Sequence, residues 1–358
     1  MHKKLFIPGP VEVREDVLKK MSEVMISHRS SDASEIQRRI SNNLKKLFFT
    51  KNEILLSTTS GSGLMEGAIR SCTLKKAAVF SIGAFGKRWY DMAIKNNIDA
   101  DIFEEDMGEV IDINRLNDVL STNKYDLVAI THNETSTGVM NPIEQIGEVI
   151  KKYPEVVFIV DAVSSAAGSK IEVDKLGIDI CITSTQKALA IPPGMAICTF
   201  SKKAMERAKN VKNRGYYLDL LLLYKYIKKK NYQYPSTPSL SHMYALDYQL
   251  DYILNREGLE NRFSRHIKMA KLVRGWGRKY FELLQNKEEL LSNTVTTIKN
   301  TRGINVGDLN KRLGNRGFVI SNGYGELKEK TFRIAHMGDC QIDDIKELLE
   351  NINDILGL

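Results

Sequence analysis

The chain has 358 residues, of which 42% are apolar and 27% are charged, and its formal net charge is +8. These fractions are typical of a soluble globular protein with a large core, and no apolar run approaches the roughly 18 residues of a membrane-spanning helix. Residues 202–230 carry ten lysines or arginines against two acidic residues, an excess equal to the whole net charge. Composition therefore argues against a general nucleic-acid-binding surface and favours a solvated helical face.

Cysteine usage and the first residues bear on the cellular compartment. The four cysteines have no metal-like spacing, which indicates reduced, buried thiols rather than ligands or disulfides. The first residues, MHKKLFIPGP, reach two prolines before an apolar signal-peptide core could form. We therefore predict a cytoplasmic protein without a metal site. The cysteines are Cys72, Cys181, Cys198 and Cys340.

An extended arm and two helices are predicted first. Residues 5–11, LFIPGPV, predict a proline-stiffened arm, and helical periodicity begins at about Arg14. A second helix is predicted over residues 35–48, with Ser34 as its N-cap and Gln37 completing a capping box.

Five short apolar runs follow and predict buried strands. They lie at residues 54–57, 77–81, 125–131, 156–160 and 178–182, and helical segments separate them. This alternation predicts an α/β fold with a mostly parallel sheet and helices on both faces. Glycine, hydroxyl and charged residues come directly after the strands, where open parallel sheets bind their ligands.

The first of these turns, TTSGSG, precedes a helix and is a candidate anion site. Backbone N–H groups at such a helix start are free to bind a phosphate, and glycine lets the backbone come close. This interpretation points to Ser62, Gly63 and the amide of Leu64. The alternative is an ordinary helix cap.

Lys187 and Asp161 are the candidate catalytic pair. Lys187 follows an apolar strand, and burial would lower its pKa and make its amine a candidate Schiff-base former; the alternative is a surface lysine in a loop. Asp161 ends the strand before it, where it could hold a pyridinium nitrogen protonated or merely cap a turn. The two residues lie 26 positions apart (187 minus 161), enough for a crossover back to the same sheet edge.

The C-terminal third has a different composition. Long charged helices are predicted over residues 259–287, and strand–helix–strand segments over residues 293–335 predict a small α+β domain. Arg333 lies in an apparent strand, where its guanidinium could bind a ligand carboxylate or form a structural salt bridge. The predicted units are an N-terminal arm at residues 1–20, a large domain at 21–255 and a small C-terminal domain at 256–358.

The motifs VDAVSS, GIDI and STQKALAIPPG, taken in order, resemble those of the class V aminotransferases, which are fold-type-I pyridoxal-phosphate enzymes. The alanine–glyoxylate and serine–pyruvate aminotransferases are the most similar branch, and the resemblance extends from PGPVEV to FRIAHMG. It implies a transaminase that moves an amino group from a small amino acid, such as alanine or serine, to a 2-oxo acid, such as glyoxylate or pyruvate. It also implies ping-pong kinetics and a homodimer with shared active sites, with no nucleic-acid or membrane partner.

The resemblance also implies roles for individual residues. Lys187 would hold pyridoxal 5'-phosphate covalently and move protons, Asp161 would contact the ring nitrogen, and Arg333 would bind the substrate α-carboxylate. The phosphate would be bound by Ser62, Gly63, the Leu64 amide and Gln186. Phe85 and Val163 would contact the two faces of the ring, and Ser136 would contact the ring substituents. Tyr234 and Thr237 would reach the phosphate of the cofactor in the neighbouring subunit.

Two kinds of alternative stay open. One is a different reaction on the same scaffold. This would be transamination with 2-aminoethylphosphonate or aspartate as the donor, or lyase or desulfurase chemistry. Desulfurase chemistry needs a mobile catalytic cysteine. Cys340 is the cysteine near Arg333, but it lies at an apparent strand–helix joint. The other is a catalytically inactive pyridoxal-phosphate-fold protein or a nucleic-acid binder that uses residues 202–230.

Overall fold

The computed structural model describes residues 2–358, and the strands of this part of the chain form three sheets. The strands are β1 (Lys4–Phe6), β2 (Glu53–Ser57), β3 (Ala77–Ser81), β4 (Ala100–Glu104), β5 (Leu127–Thr131), β6 (Asn133–Glu134), β7 (Val139–Met140), β8 (Val157–Asp161), β9 (Ile180–Ser184), β10 (Ala196–Phe200), β11 (Glu282–Leu283), β12 (Val295–Lys299), β13 (Phe318–Asn322) and β14 (Thr331–Ala335).

Thirteen α-helices are present in the same part of the chain, and none combines the length and the apolar character needed to cross a bilayer. The helices are α1 (Glu15–Lys20), α2 (Ser31–Leu47), α3 (Gly61–Cys72), α4 (Ala84–Lys95), α5 (Ile113–Ser121), α6 (Ile143–Ile150), α7 (Val173–Leu176), α8 (Lys202–Asn210), α9 (Leu220–Lys229), α10 (Leu240–Asp251), α11 (Leu259–Tyr280), α12 (Val306–Asn315) and α13 (Ile342–Leu356).

The large sheet has seven strands in the order β2-β10-β9-β8-β5-β3-β4. Strand β10 is antiparallel to both of its neighbours, and the other six strands share one direction. Every residue of β3, β5, β8 and β9 is buried, as expected for apolar strands covered on both faces. The predicted mostly parallel sheet is therefore confirmed.

The shared strand direction brings the polar strand ends together. Strands β5 and β8 pair so that Thr131 lies opposite Asp161, and Asp161 lies opposite Ile182 of β9. The turns after β2, β3, β5, β8 and β9 consequently emerge at one edge of the sheet. A ligand bound at this edge can contact residues that are far apart in the sequence.

The second sheet has five strands in the order β1-β13-β14-β12-β11, and a separate apolar core that includes Trp276, Phe332 and Ile352 packs around it. Strand β1 pairs in parallel with β13, so the start of the predicted arm is part of this small sheet. The division at residues 1–20, 21–255 and 256–358 stays a proposal, which the two separate cores support.

Two helix boundaries differ from the prediction. Helix α2 begins one turn earlier, because Ser30 and not Ser34 is the N-cap: the Ser30 hydroxyl accepts the Ala33 N–H at 3.3 Å. Ser34 and Gln37 are buried inside the helix. Helix α11 ends at Tyr280 rather than near 287, because residues 282–283 turn extended and pair with β12.

Candidate active site

A cavity of roughly 130 Å³ lies at the carboxyl edge of the large sheet. It brings together most of the residues that the sequence predicted for cofactor binding. Its lining residues are Ser60, Gly61, Ser62, Met65, Phe85, Arg88, Thr135, Asp161, Val163, Ser164, Ser184, Gln186 and Lys187.

Lys187 carries the amine of this cavity. Its Nζ donates a hydrogen bond to the carbonyl oxygen of Pro8. Burial lowers the pKa of Lys187 to about 8, against the opposing effect of Asp161, and the charges of Arg333 and Arg88 lower it further. A lysine in this state has a substantial neutral fraction near neutral pH, which is the form that attacks a carbonyl carbon.

The N-terminal arm packs directly on this amine. A Cβ placed on Gly9 would lie 2.8 Å from Lys187 Cδ and 2.9 Å from Nζ, and the Gly9 φ of +109° is unfavourable for any residue with a side chain. The Val11 N–H donates to the Gln186 carbonyl at 3.2 Å. Glycine at position 9 is thus required by a close approach to the lysine.

Asp161 is buried at the end of β8. One carboxyl oxygen accepts the Val163 N–H at 2.8 Å, and the other faces the Thr131 hydroxyl at 3.4 Å. Burial raises the pKa of Asp161 to about 6, although the Val163 N–H opposes the shift, and the nearby Glu134 adds to it. Because the carboxylate has no cation bonded to it among residues 2–358, it is suited to a positively charged ligand group.

The start of α3, together with its N-cap Ser60, forms one wall of the cavity. Ser62 lines it, whereas Gly63 and Leu64 lie behind, with the Leu64 side chain fully buried in the core. A Cβ on Gly61 would come 2.6 Å from Val163 Cγ2, so the close packing of the start of α3 on Val163 requires a residue without a side chain at position 61.

Two buried oxygens in this cavity have no hydrogen-bond partner within residues 2–358. They are Ser184 Oγ, at the end of β9, and Gln186 Oε1, next to Lys187. A buried polar atom without a partner costs about 1–3 kcal/mol. Their position beside Lys187 and the start of α3 therefore fits a polar ligand that completes the site.

The loop after β5 places Thr135, and not Ser136, on this cavity. Ser136 does not line this cavity, because its hydroxyl donates to the buried carboxylate of Glu134 and faces a separate surface cavity that Tyr324 also lines. Thr135 lines the cavity instead, and its hydroxyl is within hydrogen-bond distance of the Ser164 hydroxyl. The predicted contact of Ser136 with the ring substituents of the cofactor stays a prediction.

Glu134 was missed by the sequence analysis, although it organises the loop. Its carboxylate accepts the N–H groups of Phe85 and Gly86, both at 3.0 Å, and that of Ser136 at 3.0 Å. Those bonds fix the backbone of the turn that carries Phe85. A carboxylate inside a turn at a strand end was the available signal.

Phe85 and Val163 both line the cavity, as the predicted ring contacts require. The ring of Phe85 also contacts Tyr324, in the connection between β13 and β14, with centroids 5.5 Å apart. The Arg88 guanidinium lies 4.5 Å from the centroid of the same ring. Arg88 is a second functional candidate that the sequence analysis missed.

Arg333 is buried in β14 and has no carboxylate within 4.0 Å among residues 2–358. Its Nε donates to the Asn322 carbonyl at 3.1 Å and its Nη1 to the Thr135 carbonyl at 3.0 Å. Burial lowers the pKa of Arg333 to about 10, so the group stays cationic near neutral pH. The structural salt bridge considered as an alternative is therefore not formed, and the charge is available to a ligand carboxylate.

Tyr234 and Thr237 do not line the cavity of their own subunit. The Tyr234 hydroxyl is buried and donates to Gln37 Oε1, whereas Thr237 is exposed. Their implied role concerns the cofactor of a neighbouring subunit, and it stays a prediction.

Cys340 also lies away from the cavity, beside His2 and Arg14 in another pocket. Burial raises the pKa of its thiol to about 12. A thiol in this state is a poor nucleophile near neutral pH, which argues against desulfurase chemistry.

A parallel sheet with a lysine and an aspartate at its carboxyl edge is the arrangement of the fold-type-I transferases. The sequence model for aminotransferase class V matches residues 11–327, and the chain belongs to this family. The chain is 40% identical over 345 residues to an uncharacterized aminotransferase of Methanocaldococcus jannaschii, covering 94% of this chain and 88% of the relative. It is 32% identical over 365 residues to the serine–glyoxylate aminotransferase of Arabidopsis thaliana, covering 98% and 90%.

The solved structures agree with this assignment. The alanine–glyoxylate aminotransferase of Nostoc sp. superposes with a TM-score of 0.93 at 27% identity, covering 99% of this chain and 96% of that one. The predicted fold type and family are therefore confirmed. Class V aminotransferases are pyridoxal-phosphate-dependent transaminases, and this chain is a transaminase of that family.

Proposed function

We propose that the enzyme transfers an amino group from a small amino acid, such as alanine or serine, to a 2-oxo acid, such as glyoxylate or pyruvate, with pyridoxal phosphate as its cofactor. The observation that carries this proposal is the placement of the Lys187 amine and the Asp161 carboxylate on one cavity. Similarity to proteins named serine–glyoxylate and alanine–glyoxylate aminotransferase supports the choice of substrates.

The residues of the cavity fit the cofactor. Lys187 Nζ would hold its aldehyde carbon and Asp161 its ring nitrogen, with Phe85 and Val163 against the two ring faces. The unpartnered oxygens of Ser184 and Gln186, the Ser62 hydroxyl and the Thr135 hydroxyl would supply polar contacts. When bound, pyridoxal phosphate supplies an aldehyde that condenses with amines and a cationic ring that accepts electrons.

Proton transfer is the task of Lys187 and Asp161. When its amine is not bonded to the cofactor, Lys187 Nζ would be the group that removes the proton from the substrate Cα, and a pKa of about 8 lets the same amine accept and return a proton near neutral pH. The Asp161 carboxylate would hold a proton on the ring nitrogen of the cofactor. Its elevated pKa falls when a cation faces it, which keeps the carboxylate ionised during turnover.

Substrate orientation is the task of Arg333 and the arm. The Arg333 guanidinium, which lacks a carboxylate partner, binds the α-carboxylate and directs the Cα–H bond toward Lys187. Pro8 and Gly9 cover the amine and shield it from water. We further propose ping-pong kinetics and a homodimer, in which exposed apolar side chains such as Val24, Met25 and Tyr216 are covered.

The four cysteines of the chain carry free thiols, which fits work in a reducing compartment such as the cytoplasm.

The test is an absorbance measurement on the purified full-length protein loaded with pyridoxal phosphate. Alanine, serine, aspartate and 2-aminoethylphosphonate are added in turn, and a donor of the first half-reaction bleaches the absorbance of the bound cofactor. We expect alanine or serine to do so, and a Lys187→Ala variant not to respond. A wild-type protein that binds no pyridoxal phosphate would refute the proposal.

Aspartate is the second candidate donor. The chain is 31% identical over 347 residues to the L-aspartate–glyoxylate aminotransferase of Paracoccus denitrificans, covering 93% of this chain and 86% of the relative. Bleaching by aspartate but not by alanine or serine would select this donor in the same experiment.

A further inference from the structure

Arg88 is a cation at the cavity that the proposed reaction does not yet use. It lies one turn after Phe85 on α4, and its Nη1 donates to Ser62 Oγ at 3.0 Å. No carboxylate lies within 4.0 Å of its guanidinium among residues 2–358. A partly buried arginine that contacts a hydroxyl but no acid is poised for an anionic ligand.

The surroundings of Arg88 are those of an anion site. Ser62 is at the start of the twelve-residue helix α3, whose N-terminus carries about half a positive charge, and no side chain caps that terminus. Ser184 Oγ is fully buried, has no partner, and lies 3.5 Å from where a Cβ on Gly61 would be. An unsatisfied donor, a free helix start and an unpaired cation therefore face the same end of the cavity.

A phosphate monoester carries about −1.5 to −2 charges at neutral pH, so the proposed cofactor needs more than a helix terminus to balance it. The other cations near the cavity are committed elsewhere. Lys187 is the covalent attachment point, and Arg333 donates to the carbonyl of Thr135 and belongs to the substrate carboxylate. Leu64, in the first turn of α3, is apolar and buried in the core.

We propose that Arg88 is a cofactor-binding residue whose guanidinium binds the phosphate of pyridoxal phosphate at the N-terminus of α3. The inference rests on the proposed function. Because Ser62 Oγ accepts a hydrogen bond from Arg88, its own hydroxyl proton is free to be donated to a phosphate oxygen. Arg88 thus contributes both a charge and the orientation of Ser62.

The experiment compares two ligands that differ only in the phosphate group. Full-length wild type, Arg88→Met, Arg88→Lys and Lys87→Met are titrated with pyridoxal phosphate and with pyridoxal, and binding is followed by absorbance. Lys87 is the matched control, because it is the adjacent cation on α4 but is exposed and does not line this cavity. Thermal unfolding of each variant establishes that it is folded.

We expect Arg88→Met to lose roughly ten- to a hundredfold in affinity for pyridoxal phosphate, as for the loss of one charge-assisted hydrogen bond, and to bind pyridoxal as wild type does. Arg88→Lys should recover part of the loss, and Lys87→Met should match wild type with both ligands. Inorganic phosphate should compete with pyridoxal phosphate less well in Arg88→Met than in wild type.

Equal losses for both ligands in Arg88→Met would overturn the inference, since they would show a structural effect. Unchanged affinity for both, with a raised KM for dicarboxylic substrates, would overturn it as well, since Arg88 would then bind a second substrate carboxylate. Each of these results requires a wild type that binds pyridoxal phosphate through Lys187. A wild type that does not bind it would instead refute the proposed function.

Discussion

Replacing Gly9 by alanine tests whether the N-terminal arm controls the catalytic amine. The added methyl carbon would lie 2.8 Å from Lys187 Cδ and 2.9 Å from Cε and Nζ. Ordinary carbon–carbon contacts are about 3.5–4.0 Å, so the lysine or the arm must move by roughly 1 Å. A misplacement of that size at a reacting group costs on the order of a hundredfold in rate, and we expect kcat of Gly9→Ala to fall by about this factor.

The assay measures kcat with the best donor, the absorbance of the bound cofactor, and the thermal unfolding midpoint. Gly303→Ala is the matched control, because Gly303 also has a positive φ, of +61°, but a Cβ there meets nothing within 4 Å. That variant carries the backbone strain of about 1–2 kcal/mol without a contact on the lysine. If Gly9→Ala keeps the kcat and the cofactor absorbance of Gly303→Ala, the close approach has no catalytic role and the reasoning is wrong.

Three further predictions concern the amine, the arginine and the second subunit. Burial lowers the Lys187 pKa to about 8. The rate at which the cofactor-free full-length chain combines with pyridoxal phosphate should therefore rise with pH as Nζ loses its proton, and level off above about pH 8. A rise that continues toward the ordinary lysine pKa of 10.5 would contradict the burial of the amine. Arg333→Gln should raise the KM for the amino donor by roughly ten- to a hundredfold and leave the cofactor absorbance unchanged, since Arg333 is proposed to bind the substrate carboxylate. An unchanged KM in steady-state kinetics would remove Arg333 from substrate binding. If Thr237 reaches the neighbouring subunit's cofactor, mixing and reassociating inactive Lys187→Ala with inactive Thr237→Ala should restore up to about a quarter of wild-type activity. Half of the dimers are then mixed, and each mixed dimer has one intact site of two. No recovery after verified subunit exchange would show that the sites are not shared.

The strands, and the turns with functional residues that follow them, could be predicted because their sequence signals are local. An apolar, β-branched run bounded by turn residues defines a strand such as β3, which has the predicted bounds, and the position of Asp161 at a strand end follows from the same pattern. Parallel pairing then forces the strand ends to one edge. Lys187, Asp161, Phe85 and Gln186 meet in one cavity for that reason.

What could not be predicted depends on contacts between distant segments. The choice between Thr135 and Ser136 is decided by the buried Glu134 carboxylate, which takes the Ser136 hydroxyl away from the cavity. Arg88 gave no local signal, because an arginine on a helix is ordinary until its neighbour Ser62 is known. The start of α2 was misplaced because Ser30 and Ser34 are both acceptable caps, and only packing chooses between them.

The pairing of β1 with β13 has a consequence for how the enzyme responds to substrate. Residues 4–6 are hydrogen-bonded into the sheet that also carries Arg333, and only Ile7 separates them from Pro8, whose carbonyl holds the lysine amine. Such a short connection has almost no slack, at about 3.3 Å per residue. If Arg333 binds a substrate carboxylate as proposed, any shift of the small sheet on binding would be transmitted along the arm to Nζ.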